Sequence, residues 1–182
     1  MTDRSIIDVF TAVLENWPAF CVLLATAMLI FGYLLPRAKV PIFWEASPEL
    51  PRKVLDEYFW TWTPEIARRF LSSIGPNGRR AYRRFYWSMD FWFPTLIASL
   101  ANLSMLLLAF SREFGLVWLI SLAFAGWLFD VLENVNHFRM AAAYPAVSPF
   151  SLRLGPLITR TKWIFALAPL VVALIGFALG FR

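Results

Sequence analysis

Asp130, Glu133, Asn134 and His137 stand within the run Asp-Val-Leu-Glu-Asn-Val-Asn-His. On a helix that advances about 100° per residue they fall within one arc of roughly 100°, so four hydrogen-bonding or ionisable groups share a face. Carboxylates beside a histidine support three kinds of chemistry. Glu133 and His137, one turn apart, can point at one divalent metal such as zinc, manganese or iron, with Asp90 and Asp130 completing the ligand set. A carboxylate and His137 can instead exchange protons with a lipophilic substrate, as in a small isomerase, hydrolase or transferase. In that case Glu133 or Asp130 is the general base, His137 the proton partner and Asp90 the electrostatic orienter. The third reading has the same groups grip a hydrophobic amine, a sterol-like ligand or a lipid headgroup without chemistry. Against all three stands a purely architectural use, an interhelical hydrogen-bond network with Asn134 and Asn136 contributing, which fixes helix order. No cofactor motif is present, and the metal content stays unassigned.

These groups sit in a chain suited to lipid. Of 182 residues 59% are hydrophobic, 18% aromatic and only 16% charged, whereas charged residues approach a quarter of an ordinary soluble domain. Spans of about 20 residues are needed to cross a hydrocarbon core of roughly 30 Å. Residues 18–35, 88–110, 114–138 and 163–181 have that length and apolarity. The sequence therefore predicts an all-α fold, a single integral membrane four-helix bundle over residues 1–182 with one cytoplasmic amphipathic helix.

Topology follows from the basic residues. Residues 36–86 carry Arg37, Lys39, Arg52, Lys53, Arg68, Arg69, Arg79, Arg80, Arg83 and Arg84, and residues 139–162 add Arg139, Arg153, Arg160 and Lys162. The opposite side shows only Arg4, Arg112 and Arg182. The positive-inside bias puts both loops in the cytoplasm of a bacterial inner membrane and both termini outside it. The net charge of +5 then means attraction to anionic headgroups and not to nucleic acid. Cys21, the one cysteine, reads as a small hydrophobe in the first span, which excludes a disulfide framework.

The elements that position the polar groups can be placed in turn. The second span begins at Asp90 on the cytoplasmic side, and the third returns there with Asp130, Glu133 and His137; the short link at 111–113 makes the two antiparallel neighbours. Ala123 and Gly126 on the Asp130 face let a partner helix come close, and Pro94 loosens the backbone beyond Asp90. Counted from residue 114, Asp130 falls just inside the hydrocarbon, Glu133 at its border and His137 at headgroup level.

Within residues 36–86, Thr63-Pro64-Glu65 supplies an N-cap, a first-turn proline and an acid, and Gly75-Pro76 a stop, so a helix is predicted over 64–74. Ile66, Ala67, Phe70, Leu71 and Ile74 fall on one side of it, to lie in the headgroup plane or to pack on the protein. Tyr82, Phe85, Tyr86 and Trp87, like Phe43, Trp44 and the stretch 59–62, read as interfacial anchors. Tyr86 and Arg83 are also candidate ligand contacts, through ring stacking and phosphate binding in the Arg79-Arg80, Arg83-Arg84 strip. Pro145, Pro149 and Pro156 are expected to interrupt any helix over 141–161. Gly176 and Gly180, at GxxxG spacing, permit homo- or hetero-oligomer contacts.

Gly75, Gly78, Arg79 and Tyr82, then Asp90, Phe93 and Pro94, then Asp130, Glu133 and Asn134 form a G-x-x-G-R-x-x-Y, D-x-x-F-P and D-x-x-E-N pattern. In this the chain resembles a group of uncharacterised four-helix bacterial membrane proteins, over about residues 56–145. The resemblance implies that Gly75, Gly78, Arg79, Tyr82, Asp90, Pro94, Asp130, Glu133 and Asn134 build the common core; it implies no activity. A looser similarity links the chain to the sigma-2 receptor and sterol-isomerase type of membrane protein, which also has a long loop after the first span and an acid before aromatic and proline residues in the second. This chain lacks their acid near the end of the first helix.

The reading is of a membrane protein that binds, and in an enzyme chemically processes, a lipophilic molecule or lipid at the acidic and histidine cluster near the cytoplasmic leaflet. The alternative is a structural or assembly subunit of a larger membrane complex.

Overall fold

The computed structural model describes residues 17–46, 52–58, 60–91 and 116–178. These are helical, with no strand among the described residues. Helix α1 spans Trp17–Lys39 and runs into a 3-10 turn, Val40–Phe43. A second 3-10 turn, Leu55–Tyr58, precedes α2, Pro64–Ser73, and α3, Gly75–Phe85. A π-helical turn, Tyr86–Asp90, extends α3. Two long helices complete the chain, α4 over Leu116–Ala143 and α5 over Pro149–Ala178. The remainder of the second expected span with Pro94, the link at 111–113 and Gly180 of the GxxxG pair lie outside the described residues.

Local chemistry explains the break between α2 and α3. The Thr63 side chain accepts from the Ile66 N–H at 3.3 Å, and Pro64 and Glu65 fill the first turn, as the sequence predicts. Gly75 then turns the chain at a φ of +65°, a conformation that costs a residue with a Cβ about 1 to 2 kcal/mol. Pro76 starts the next helix at once. The apolar face of α2 is turned inward: Ala67, Phe70, Leu71 and Ile74 are buried. Of the two placements open to it, packing on the protein is the one adopted.

Those side chains belong to a core that also takes in Ile42, Val54, Leu55, Trp62, Tyr82, Phe85, Tyr86, Met140 and Leu152. The described residues of the segment that read as a loop attached to a bundle, 36–46, 52–58 and 60–86, thus supply most of a packed head closed by α4 and the start of α5. Trp62, Tyr82, Phe85 and Tyr86 are core residues and not interfacial anchors, while Trp44, Trp60 and Trp87 are exposed. Sequence alone cannot separate an anchor ring from a core ring when aromatics are this dense.

Helix α5 starts much earlier than the expected span at 163, because its prolines are tolerated. Pro149 opens the helix, where its missing N–H would have no partner anyway. Pro156 and Pro169 lie inside it, so the irregular segment is only the turn between α4 and α5. The two helices then pack antiparallel. Phe129 stacks on Phe165 with ring centroids 5.4 Å apart. A Cβ at Gly126 would lie 3.3 Å from the Phe165 carbonyl oxygen, so the close approach read from Gly126 is made to α5.

Away from the head the helices carry bare apolar side chains: Leu29 on α1, Phe124 on α4, and Ile164, Val171 and Leu174 on α5 are all more than half exposed. Among the described residues, no helix is long and apolar enough to cross a membrane.

Candidate functional site

Tyr82, Tyr86 and Asp90 follow at intervals of four, so on an uninterrupted α-helix Asp90 would be rotated by about 80° from Tyr82. The wider i→i+5 turn over Tyr86–Asp90 takes up that rotation. All three side chains are buried against α4.

The head core closes around His137, which is 0% exposed. The Tyr82 hydroxyl lies 3.0 Å from its Nδ1. Trp62 and Tyr86 meet the imidazole edge-on, with centroids at 5.1 and 4.6 Å. His137 is thus sealed in rings, with Trp62, Tyr82 and Tyr86 all packed against the imidazole. Beyond it, Tyr86 donates to Asp56 Oδ1 at 2.9 Å. Burial first, and the Asp56 charge second, push both phenols well above the ordinary tyrosine range. Tyr82 and Tyr86 therefore stay protonated at neutral pH.

On the next turn of α4 the acids face α5. Thr159 Oγ1 donates to Glu133 Oε1 and Lys162 Nζ to Glu133 Oε2. Lys162 Nζ also sits 3.1 Å from Asp130 Oδ1. Asp90 is 7% exposed and lies in the field of Asp56, Lys162, Asp130 and Glu133. The structure therefore brings the sequence-predicted acids Asp90, Asp130 and Glu133 into one electrostatic unit. It does not pair Glu133 with His137. Glu133 accepts from Thr159 and Lys162 of α5, one donor on each carboxylate oxygen, while His137 meets Tyr82 of α3. Four carboxyls, Asp56, Asp90, Asp130 and Glu133, share this interior with the single ammonium of Lys162.

The metal reading fails on the same geometry. Among the described residues, no group of three His, Cys, Asp or Glu side chains is arranged to hold an ion. The Tyr82 hydroxyl stands on His137 Nδ1, and the rings of Trp62 and Tyr86 pack against the imidazole.

Other predicted contacts are placed as follows. Asn134 is 2% exposed, and neither its amide nitrogen nor its amide oxygen has a hydrogen-bond partner among the described residues. The same is true of His137 Nε2 and Trp62 Nε1. Tyr86 is inside the site as a donor to Asp56. Arg83 is half-buried, its guanidinium carbon 5.9 Å from the Phe138 ring centroid, so it packs on α4 beside the site. Asn136 donates to the Ser151 carbonyl at 3.2 Å and ties α4 to the first turn of α5.

Sequence reasoning missed Asp56, Tyr82, Trp62, Thr159 and Lys162. Tyr82 and Tyr86 at four-residue spacing before Asp90 carried a usable signal. Lys162 was counted as a topology charge; its place directly before an apolar stretch is the only hint that it turns inward. Comparison of the chain with family models, with curated proteins and with solved structures gives no match in any of the three.

Proposed function

We propose that this chain is an integral protein of a bacterial inner membrane, with its head on the cytoplasmic side, both termini outside, and a polar interior that binds a lipophilic molecule bearing a polar end. The membrane placement is supported by the bare apolar side chains of α1, α4 and α5 beyond the head, together with the gathering of basic residues on the head itself. The observation that carries the binding role is the pair Asn134 and His137. They occupy one face of α4, are almost wholly buried, and keep three polar atoms without partners in an interior where each Glu133 oxygen has a donor. Leaving a buried polar group unpaired costs about 1 to 3 kcal/mol, a cost offset when a ligand supplies the partner. The surplus of carboxyls over Lys162 favours a ligand whose polar end donates hydrogen bonds or carries positive charge, such as a hydrophobic amine.

A structural role is the second reading, favoured by the Lys162 clamp on Asp130 and Glu133, which locks α4 to α5. The two separate by experiment. Protein purified in detergent is extracted with organic solvent and the extract resolved by mass spectrometry, for the wild type, Asn134→Leu and Asp90→Asn. Binding requires a discrete lipophile retained by the wild type and lost from both variants at unchanged thermal stability. An extract identical in all three proteins leaves the structural reading.

A further inference from the structure

Trp44 is 76% exposed at the base of α1 and stands on the rim common to two hollows. The first, of about 410 Å³, has walls from Leu35, Val40 and Phe43 and is edged by Lys39, Glu57 and Arg52. The second, of about 390 Å³, lies between the 3-10 turn and α3 and is edged by Glu45, Asn77, Arg80 and Arg84.

The acids of both hollows are engaged by the protein. Glu57 pairs with Lys39 at 2.7 Å and accepts from the Val54 N–H at 3.0 Å. Glu45 accepts from the backbone and side-chain amides of Asn77. The arginines are exposed, and none of Arg52, Arg80 and Arg84 has its guanidinium paired with an acid among the described residues. Each hollow thus holds two cationic side chains against one carboxylate, an excess of a single positive charge. A phosphodiester carries one negative charge.

We propose that the two hollows flanking Trp44 hold the phosphates of anionic phospholipids, Arg52 taking one and Arg80 with Arg84 the other. The guanidinium fork suits a phosphate oxygen pair, the indole sits at the boundary between headgroup and chain, and Leu35, Val40 and Phe43 give the first hollow an apolar wall for the start of the acyl part. A zwitterionic lipid brings its own cation into a pocket that already has one in excess, so discrimination against it is built in. The inference rests on the membrane placement above but not on the buried site around Asn134.

The test is native mass spectrometry of the full chain in detergent loaded with equal phosphatidylglycerol and phosphatidylcholine. Wild-type protein retains phosphatidylglycerol preferentially, and the preference falls about fivefold for each arginine removed in Arg52→Gln and in Arg80→Gln/Arg84→Gln. The control Arg68→Gln/Arg69→Gln, on the exposed face of α2, keeps it. An unchanged preference in the first two variants, an equal loss in the control, or displacement of the lipid by inorganic phosphate overturns the proposal. Carbonate extraction separates the two layers of argument. A chain released from membranes overturns both the placement and the headgroup sites, whereas a chain that stays in the bilayer without preferring phosphatidylglycerol overturns the sites alone.

Discussion

Lys162 of α5 reaches Asp130 and Glu133 of α4 at once, binding two carboxylates that sit one helical turn apart. Both partners are largely removed from water, with 14% of the Asp130 side chain and none of Glu133 exposed. A buried pair of this kind is worth little compared with an apolar replacement, but breaking it from one side is expensive.

Lys162→Met is therefore expected to destabilise the head by about 3 to 5 kcal/mol, read by thermal unfolding in detergent. Adding Asp130→Asn and Glu133→Gln removes the stranded charges and recovers most of that loss. A Lys162→Met protein as stable as the wild type would show that the ammonium does not compensate these acids.

Alkaline titration tests the interior beside it. Tyr82 and Tyr86 hold their protons well above the usual range because burial, and then Asp56, penalise the phenolate. A phenol whose folded pKa is raised contributes stability that is complete below about pH 10 and is lost as the pH climbs toward the folded value. Absorbance near the phenolate band should thus show Tyr82 and Tyr86 ionising only together with unfolding. Tyr82→Phe and Tyr86→Phe remove that late step. Early ionisation of all the tyrosines would mean the rings are reached by water.

Gly155 of α5 faces the indole of Trp62, and a Cβ there would come within 2.5 Å of the ring. Gly155→Ala should cost about 1 to 3 kcal/mol as overpacking and shift the tryptophan emission, since the Trp62 indole must give way to the new methyl group. Normal stability with unchanged emission would place the indole elsewhere.

Thr63 caps α2 through the Ile66 N–H. Thr63→Ala should cost about 1 kcal/mol, measured by the same unfolding, and Thr63→Ser should restore it.

The parts of this arrangement legible in the sequence are those governed by local rules. The helical class, the start of α2 at Thr63, its stop at Gly75 and the common face of Asp130, Glu133, Asn134 and His137 each depend on a few consecutive residues. What could not be read was set by contacts distant along the chain. The apolar stretch after Lys162 hints that it turns inward but does not say which carboxylates it meets, and nothing near Trp62 says that its edge meets an imidazole. The faces of α2 were legible, but the choice between lipid and protein for the apolar one needed the positions of Ile42, Leu55 and Tyr82. Pro156 misled for a related reason: an internal proline is costly by itself, and packing against α4 repays part of it.

The separation between Tyr82 and His137 also governs the order of assembly during synthesis. α2 and α3 leave the ribosome well before the imidazole that their rings enclose, so the newborn first half presents Phe70, Tyr82 and Tyr86 without a lid. Chaperone engagement or rapid proteolysis should peak in that interval and end when α4 and α5 arrive; a nascent chain halted ahead of Glu133 would stay in the vulnerable state.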